Sequence, residues 1–419
     1  MRWSIAALIA VVIVGSIVVL AIRPPSPRGT RRSPSAGAEG RGRAYRYIWT
    51  GTPGKRFSKA ELDALARDDP LVVIEKGYGT TFQDWDAAAR DLHARDPNAI
   101  VLVDFLAGAL PPALEARWGA AFDPAWILRD RNGDVMRDCS GGRCKYRVDV
   151  SDPAYRRFVE GQVMKRLRAA PYGGVMYDNL HLYDRGRYPD LSDARIRELN
   201  AGFRSLLVET RRMIGPDHLL FFNGVARSIG KEDVVDRGLG LLGAADGAQD
   251  EVFCYLDNQD AFRPVSELIQ DDATYHRLAS QGATILESVK VENPAGQADA
   301  AHIERYCFGH YLMSYVPGHL RIQFKAYPTQ GAGPQIQENF TPEQTLDLGA
   351  PTADFTQDGQ VLERRFENGW VFVNVSDSPQ TIALPERLTL RTGGTVGGTY
   401  RAGESYTIAP TDAAYFLRG

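Results

Sequence analysis

Gly173–Leu180 reads GGVMYDNL, and the fold follows from how this stretch is read. Gly174–Asp178 is an apolar run that ends in an acid, and Asn179, His181, Tyr183 and Asp184 come directly after it. A short continuous apolar run is how a strand buried on both faces of a parallel sheet is written. Before it, Asp152-Pro153 starts a helical pattern over Pro153–Ala169, with a capping Asp and Pro at the first helical position. After it come a second helical pattern, Asp193–Ile214, and another apolar run, Leu219–Asn223.

The same alternation extends over the chain. Strands are predicted at Tyr45–Trp49, Leu71–Glu75, Ile100–Phe105, Gly174–Asp178, Leu219–Asn223, Gly247–Glu251, Thr284–Glu287 and Leu320–Phe324. Helices are predicted at Lys59–Arg67, Phe82–Arg95, Pro153–Ala169, Asp193–Ile214, Lys231–Arg237, Val265–Gln281 and Ala298–Tyr315. Eight strands alternating with helices suit a (β/α)8 TIM barrel. The rival, an open doubly wound sheet, lacks a Gly-rich phosphate loop after its first strand. One connection, Phe105 to Tyr155, is about 50 residues long and far exceeds an ordinary loop. It holds Trp118, Trp126 and a turn at Asn132-Gly133; Asp130 and Asp134 flank that turn without the spacing of a calcium loop. Beyond Thr345 the pattern changes to short strands around Asn368-Gly369, which predicts a small antiparallel β-sandwich over 345–419 behind a barrel over 44–340.

Composition narrows the function. The chain has 44% hydrophobic and 24% charged residues, an ordinary globular balance. Its net charge is −3, but residues 1–43 carry seven Arg and one acid, which leaves the body at −9. An acidic body argues against nucleic acid as a partner. Ile5–Ile22 is an uncharged run of 18 residues, read as a membrane anchor or a cleaved signal segment within 1–22, and 23–43 reads as a flexible tether. Basic residues follow the run more densely than they precede it, which favours a cytoplasmic body. Against this, Cys139 and Cys144 bracket a Gly-Gly turn, either as a disulfide of an oxidising compartment or as two free thiols. An extracytoplasmic body, membrane-anchored or secreted, is the expectation. Cys254 and Cys307 lie in apolar surroundings and read as core thiols.

Barrel chemistry sits at the carboxyl ends of the strands. Here those ends carry Trp49, Glu75, Asp104, Asp178-Asn179, Asn223, Glu251 and Glu287, so an acidic bowl is expected. Asp178 is the leading candidate. In ADGAQDEVF (245–253) Asp246, Asp250 and Glu251 compete, and Glu251 is best placed at the mouth. The seven His are scattered, and no metal or other cofactor is expected, although an oxygen-rich magnesium site stays open. Two carboxylates without a metal are the equipment of glycoside hydrolysis, one protonating the leaving oxygen and the other attacking or activating water. Trp49, Tyr78, Trp126 and Tyr183 would then offer ring faces to sugars.

WILRDRNGDVM (126–136), YRVDVSDPAYRRFVEGQVMKRL (146–167) and YGGVMYDNL (172–180) resemble a pattern found in (β/α)8 glycoside hydrolases of the alpha-galactosidase and endo-polygalactosaminidase types. ADGAQDEVF resembles their later catalytic strand, and NGWVFVNVS (368–376) resembles their small β-module. The resemblance implies Asp178 as nucleophile and Glu251 as acid/base, with the roles exchangeable and Glu287 as the alternative to Glu251. Trp49, Glu75, Asp104, Asn179, Tyr183, Asn223 and Glu287 are the expected substrate-binding residues. A glycosidase acting on a polysaccharide or oligosaccharide is the leading expectation. A non-hydrolytic carbohydrate-binding barrel of envelope or exopolysaccharide assembly is the second, and a metal-dependent barrel enzyme the third.

Overall fold

A computed structural model describes residues 46–48, 56–66, 71–74, 82–110, 122–140, 143–225, 239–256, 260–291, 297–326, 342–392 and 396–419. Eight strands form one parallel sheet in strict chain order: β1 (Arg46–Ile48), β2 (Leu71–Ile74), β3 (Ile100–Leu106), β4 (Gly174–Asp178), β5 (Leu219–Asn223), β6 (Gly247–Asp250), β7 (Thr284–Val291) and β8 (Leu320–Ala326). A doubly wound sheet would reverse its order partway; this one never does, and the fold is a (β/α)8 barrel. The helices between them are α1 (Lys59–Leu65), α2 (Phe82–Arg95), α3 (Pro153–Ala169), α4 (Asp193–Ile214), α5 (Val265–Ser280) and α6 (Gln297–Ser314). Caps read from sequence act as expected: Asp152 accepts from Ala154 N at 2.7 Å, with Pro153 opening α3. The helix expected at Lys231–Arg237 falls outside the described residues, as does the apolar run 5–22. Among the described residues no helix is long and apolar enough to cross a membrane.

The strand pleat divides the buried side chains into two sets. Leu71, Val73, Leu102, Met176, Phe221 and Leu286, drawn from five strands, form their own cluster. Their chain neighbours Val72, Val101, Val175, Tyr177, Phe222 and Ile285 join the much larger cluster packed under the helices. The first set fills the barrel interior. It packs so closely that a Cβ on Gly247 would lie 2.6 Å from the Phe221 ring and 2.1 Å from the Thr284 carbonyl.

The long connection after β3 folds into a three-stranded antiparallel sheet, with Arg143–Arg147 between Ala109–Leu110 and Arg137–Ser140. Asp130 spends its carboxylate on the turn, accepting from Asn132 N and Asp134 N, so this segment is a plain turn. After the barrel, six antiparallel strands between Thr356 and Arg418 and a two-stranded companion enclose a separate small core around Phe372, Leu388 and Phe416. The opposite face of that sheet packs on α6. Arg305 makes a two-pronged ion pair with Asp412, and buried Arg364 donates to the carbonyls of Leu312, Met313 and Tyr315 at the end of α6, each at 2.8 Å. Burial lowers the Arg364 guanidinium to about 10, and the carbonyl end of the helix still favours a cation there.

All four cysteines are paired. Cys139–Cys144 closes the hairpin of the excursion, which decides between the disulfide and the two free thiols that the sequence left open. Cys254–Cys307, expected as two core thiols, is instead a disulfide joining the chain just after β6 to the middle of α6. The two residues are 53 apart in sequence, so their pairing was invisible until the fold brought them together. Loop-closure entropy predicts that removing this bond by Cys254→Ala/Cys307→Ala costs about 4 kcal/mol, against about 2 kcal/mol for the five-residue loop of Cys139–Cys144. Guanidinium unfolding of the two double variants should rank them in that order.

Candidate active site

Counting by twos from the interior set brings Asp104, Asp178, Asn223, Glu251 and Lys290 to the lumen side of their strands. Asp178 ends β4 and is 5% exposed. Its carboxylate accepts three N–H bonds: Asn179 N at 2.7 Å, Asn179 Nδ2 at 2.7 Å and Asn223 Nδ2 at 2.8 Å. Such donors suit the charged form of the acid. Asn179 reaches both oxygens because its backbone is left-handed, with φ 61, a conformation that non-glycine residues adopt at a cost. Gly108 makes room for this turn, since a Cβ there would lie 1.9 Å from the Asn179 carbonyl oxygen. The Asn179 Oδ1 accepts from Lys145 Nζ at 3.4 Å.

Glu251 directly follows β6. Its Oε2 accepts from the same Asn223 Nδ2 at 2.6 Å, and its Oε1 from Lys290 Nζ at 2.5 Å. The Glu251 side chain is 26% exposed, so it reaches the opening. Two acceptors along the two N–H bonds of one planar amide lie about 5 Å apart. The structure therefore brings Asp178 and Glu251, distant along the chain, to opposite sides of one amide. Asp250 and Asp246, their competitors in sequence, are engaged elsewhere. Asp250 accepts from Tyr275 OH at 2.7 Å and Arg263 Nη1 at 3.2 Å under the helices, and Asp246 accepts from Leu220 N and Arg211.

Other predicted residues divide. Asp104 faces the lumen beside Met176, one pleat below the mouth, and is fully buried. Asn179 and Asn223 are bound to the carboxylates and hold them in place. Glu287 does not join the bowl. Leu286 faces the interior, so Glu287 points to the helix layer, where Ser314 Oγ donates to it at 3.2 Å. Burial first, then the nearby Asp272 and Asp250, push this carboxyl well above its ordinary range. Tyr183 is not an open platform either: its ring lies against Phe203 and Tyr188, with the Arg147 guanidinium 5.6 Å from its centre. Trp126 is likewise packed against Phe122, Tyr155 and Phe158. Trp49, Glu75, Tyr78 and Trp118 lie outside the described residues. Among the described residues no group of three or more His, Cys, Asp or Glu is placed to hold a metal ion.

Two residues at the site, Lys290 and Lys145, were not singled out from sequence, and His181 was noted there only as one of the polar residues after Asp178. Period-two counting along ATILESVK (283–290) finds Lys290, since it shares the face of Leu286. Lys145 arrives on the excursion hairpin and carried no local signal. His181 is half-buried in the loop after β4; burial chiefly, then Arg147 and Arg187, lower it to about 4, against the opposing pull of Asp178 and Glu251.

An eight-stranded barrel with two facing carboxylates at the strand ends belongs to the architecture of glycoside hydrolases. The profile of the hypothetical glycosyl hydrolase family 15 matches residues 110–370, and the chain is a member of that family. Among solved structures, an alpha-amylase from Lactobacillus plantarum is similar at 11% identity over 90% of this chain and 99% of that one, with a TM-score of 0.50. The glycoside hydrolase domain of PelA from Pseudomonas aeruginosa is similar at 17% identity over 68% and 94%, with a TM-score of 0.43. The alpha-galactosidase TtGalA from Thermus thermophilus is similar at 18% identity over 59% and 51%, with a TM-score of 0.38. No curated protein matches the chain in sequence.

Two predictions follow from the electrostatics. Burial and the acids beside it favour the neutral form of Glu287, so Glu287→Gln should leave hydrolytic activity within about twofold and the melting temperature nearly unchanged at pH 7. A large loss of activity in that variant would return Glu287 to the site. The imidazole of His181, followed by NMR, should stay neutral down to about pH 4. In the unfolded chain it takes up its proton near the ordinary value of 6.5, so this group's linkage lowers stability as pH falls from there towards 4.

Proposed function

We propose that the chain is a retaining glycosidase that cleaves O-glycosidic bonds of a polysaccharide or its fragments, with Asp178 as nucleophile and Glu251 as acid/base. The observation that carries this reading is the shared amide. Asn223 Nδ2 donates to Asp178 Oδ1 at 2.8 Å and to Glu251 Oε2 at 2.6 Å, and planar-amide geometry then sets those two oxygens about 5 Å apart, which supports the shorter carboxyl spacing of retaining enzymes. An inverting pair would stand about 6.5–9.5 Å apart to admit a water.

In the first step an Asp178 oxygen bonds to the anomeric carbon as the glycosidic C–O bond breaks, and Glu251 gives its proton to the departing oxygen. In the second, water attacks the anomeric carbon, Glu251 takes the water's proton, and the Asp178 ester opens. The three N–H donors on Asp178 suit a group that works as an anion. Lys290 on Glu251 suits the general-base turn of the second step; protonation before the first step requires that contact to open.

Extracytoplasmic action is part of the proposal. Two disulfides among the described residues are the usage of an oxidising compartment and support it.

The test is hydrolysis of a glycan panel by wild type, Asp178→Asn and Glu251→Gln. Each substitution should lower kcat/KM at least about a hundredfold. NMR of the first-formed product should show the anomer of the substrate. A product of inverted configuration would overturn the retaining assignment, and full activity in either variant would overturn that residue's role.

A further inference from the structure

Asn223 ends β5, is fully buried, and donates both hydrogens of one nitrogen to two different carboxylates. Its position is fixed by the sheet on both sides: its carbonyl accepts from Leu180 N at 3.1 Å, and it stands beside Gln249 of β6 in the parallel register. The chemistry leaves little choice at this site. Only a primary amide offers two diverging N–H bonds on so short a stem. An Asp would add a third negative charge between two others. A Ser hydroxyl has one hydrogen and can serve one carboxyl at a time, and a Gln would carry the amide one carbon too far into the opening.

We propose that Asn223 is a positioning residue that fixes the spacing of Asp178 and Glu251 and biases both towards the charged form at once, so that the two acids behave as one coupled pair. The inference rests on the glycosidase reading for its kinetic consequence but not for its physical content. Each N–H donated to a carboxylate stabilises the anion by more than a bond between neutral groups does, so removing the amide acts on both acids in the same direction. From the described elements, the charged and titratable groups facing the pair are Lys290 of β7, Lys145 on the excursion hairpin through Asn179, His181 with Arg147 and Arg187 beyond it, and Asp104 of β3, one pleat below on the lumen side. Lys290 is bound to Glu251 and the Asn179 amide to Asp178, so variants at these positions provide the one-sided controls.

The experiment is carboxyl-carbon NMR titration of the full chain with labelled Asp and Glu, the two signals being assigned by their loss in Asp178→Asn and Glu251→Gln. In Asn223→Ala both titrations should move up, by about one pH unit each. In Lys290→Met the Glu251 titration should rise by more than that of Asp178. If Asn223→Ala is folded by circular dichroism and moves only one titration, or neither, the coupled pair is wrong. Should Asn223→Ala fail to fold, Asn223→Ser decides: at least one of the two titrations must rise, and wild-type values for both would overturn the proposal.

The kinetic counterpart uses whichever glycan the wild type cleaves. Both limbs of the pH profile of kcat/KM should shift upward together in Asn223→Ala, with kcat at least about tenfold lower and KM little changed. A merely structural role would lower kcat and leave both limbs where they are. The titration needs no substrate, so it judges the amide bridge even if no glycan is hydrolysed, an outcome that would fall on the glycosidase reading alone.

Discussion

A β-strand sends successive side chains to opposite faces, and in a parallel barrel those faces are the lumen and the helix layer. This constraint sorts every acid near the site. Asp178 and Glu251 share the lumen parity of Met176 and Gln249, while Asp250 and Glu287 have the other parity and meet Tyr275, Arg263 and Ser314. Adjacent carboxyls in one short stretch, Asp250 and Glu251, thereby acquire unrelated lives. One is tied into the packing of α5, and the other is presented at the opening.

The polar residues on the helix side form a buried system of their own. Arg263 lies between Asp250 and Asp271, His310 bonds to Asp272 at 2.7 Å, and Glu287 sits among these acids. Breaking one partner of such a pair leaves a buried charge uncompensated, which costs more than the intact pair contributes. Burial and the neighbouring acids favour the neutral form of the Glu287 carboxyl, which lessens that cost. The lumen side is built differently: its two carboxyl groups are met by amide hydrogens and a lysine.

Two described segments beside the opening are stapled. The excursion hairpin that carries Lys145 and Arg147 is closed by Cys139–Cys144, and the chain leaving Glu251 is tied to α6 by Cys254–Cys307 three residues later. Arg147, fully buried, is ion-paired with Asp138 and lies over the rings of Tyr183 and Tyr188. These segments are thus held by covalent bonds and packed aromatics, next to the left-handed backbone of Asn179.

Local pattern was enough for much of this protein. Apolar runs with helical stretches between them determined the eight parallel strands, Asp152-Pro153 determined where α3 starts, and the turn at Asn368-Gly369 marked the change to antiparallel strands. These are properties of neighbouring residues, and neighbouring residues write them. Asp178 stood out as a candidate for the same reason, as an acid that closes an apolar run and is followed by further polar residues. Only the tertiary structure decided that Glu287 turns outward, that Tyr183 is packed on both sides, that Cys254 meets Cys307, and that Asn223 stands between two carboxylates. Each of those depends on strand register or on contact across tens of residues, and neither distance nor register between separated segments is encoded in the order of the residues beside them.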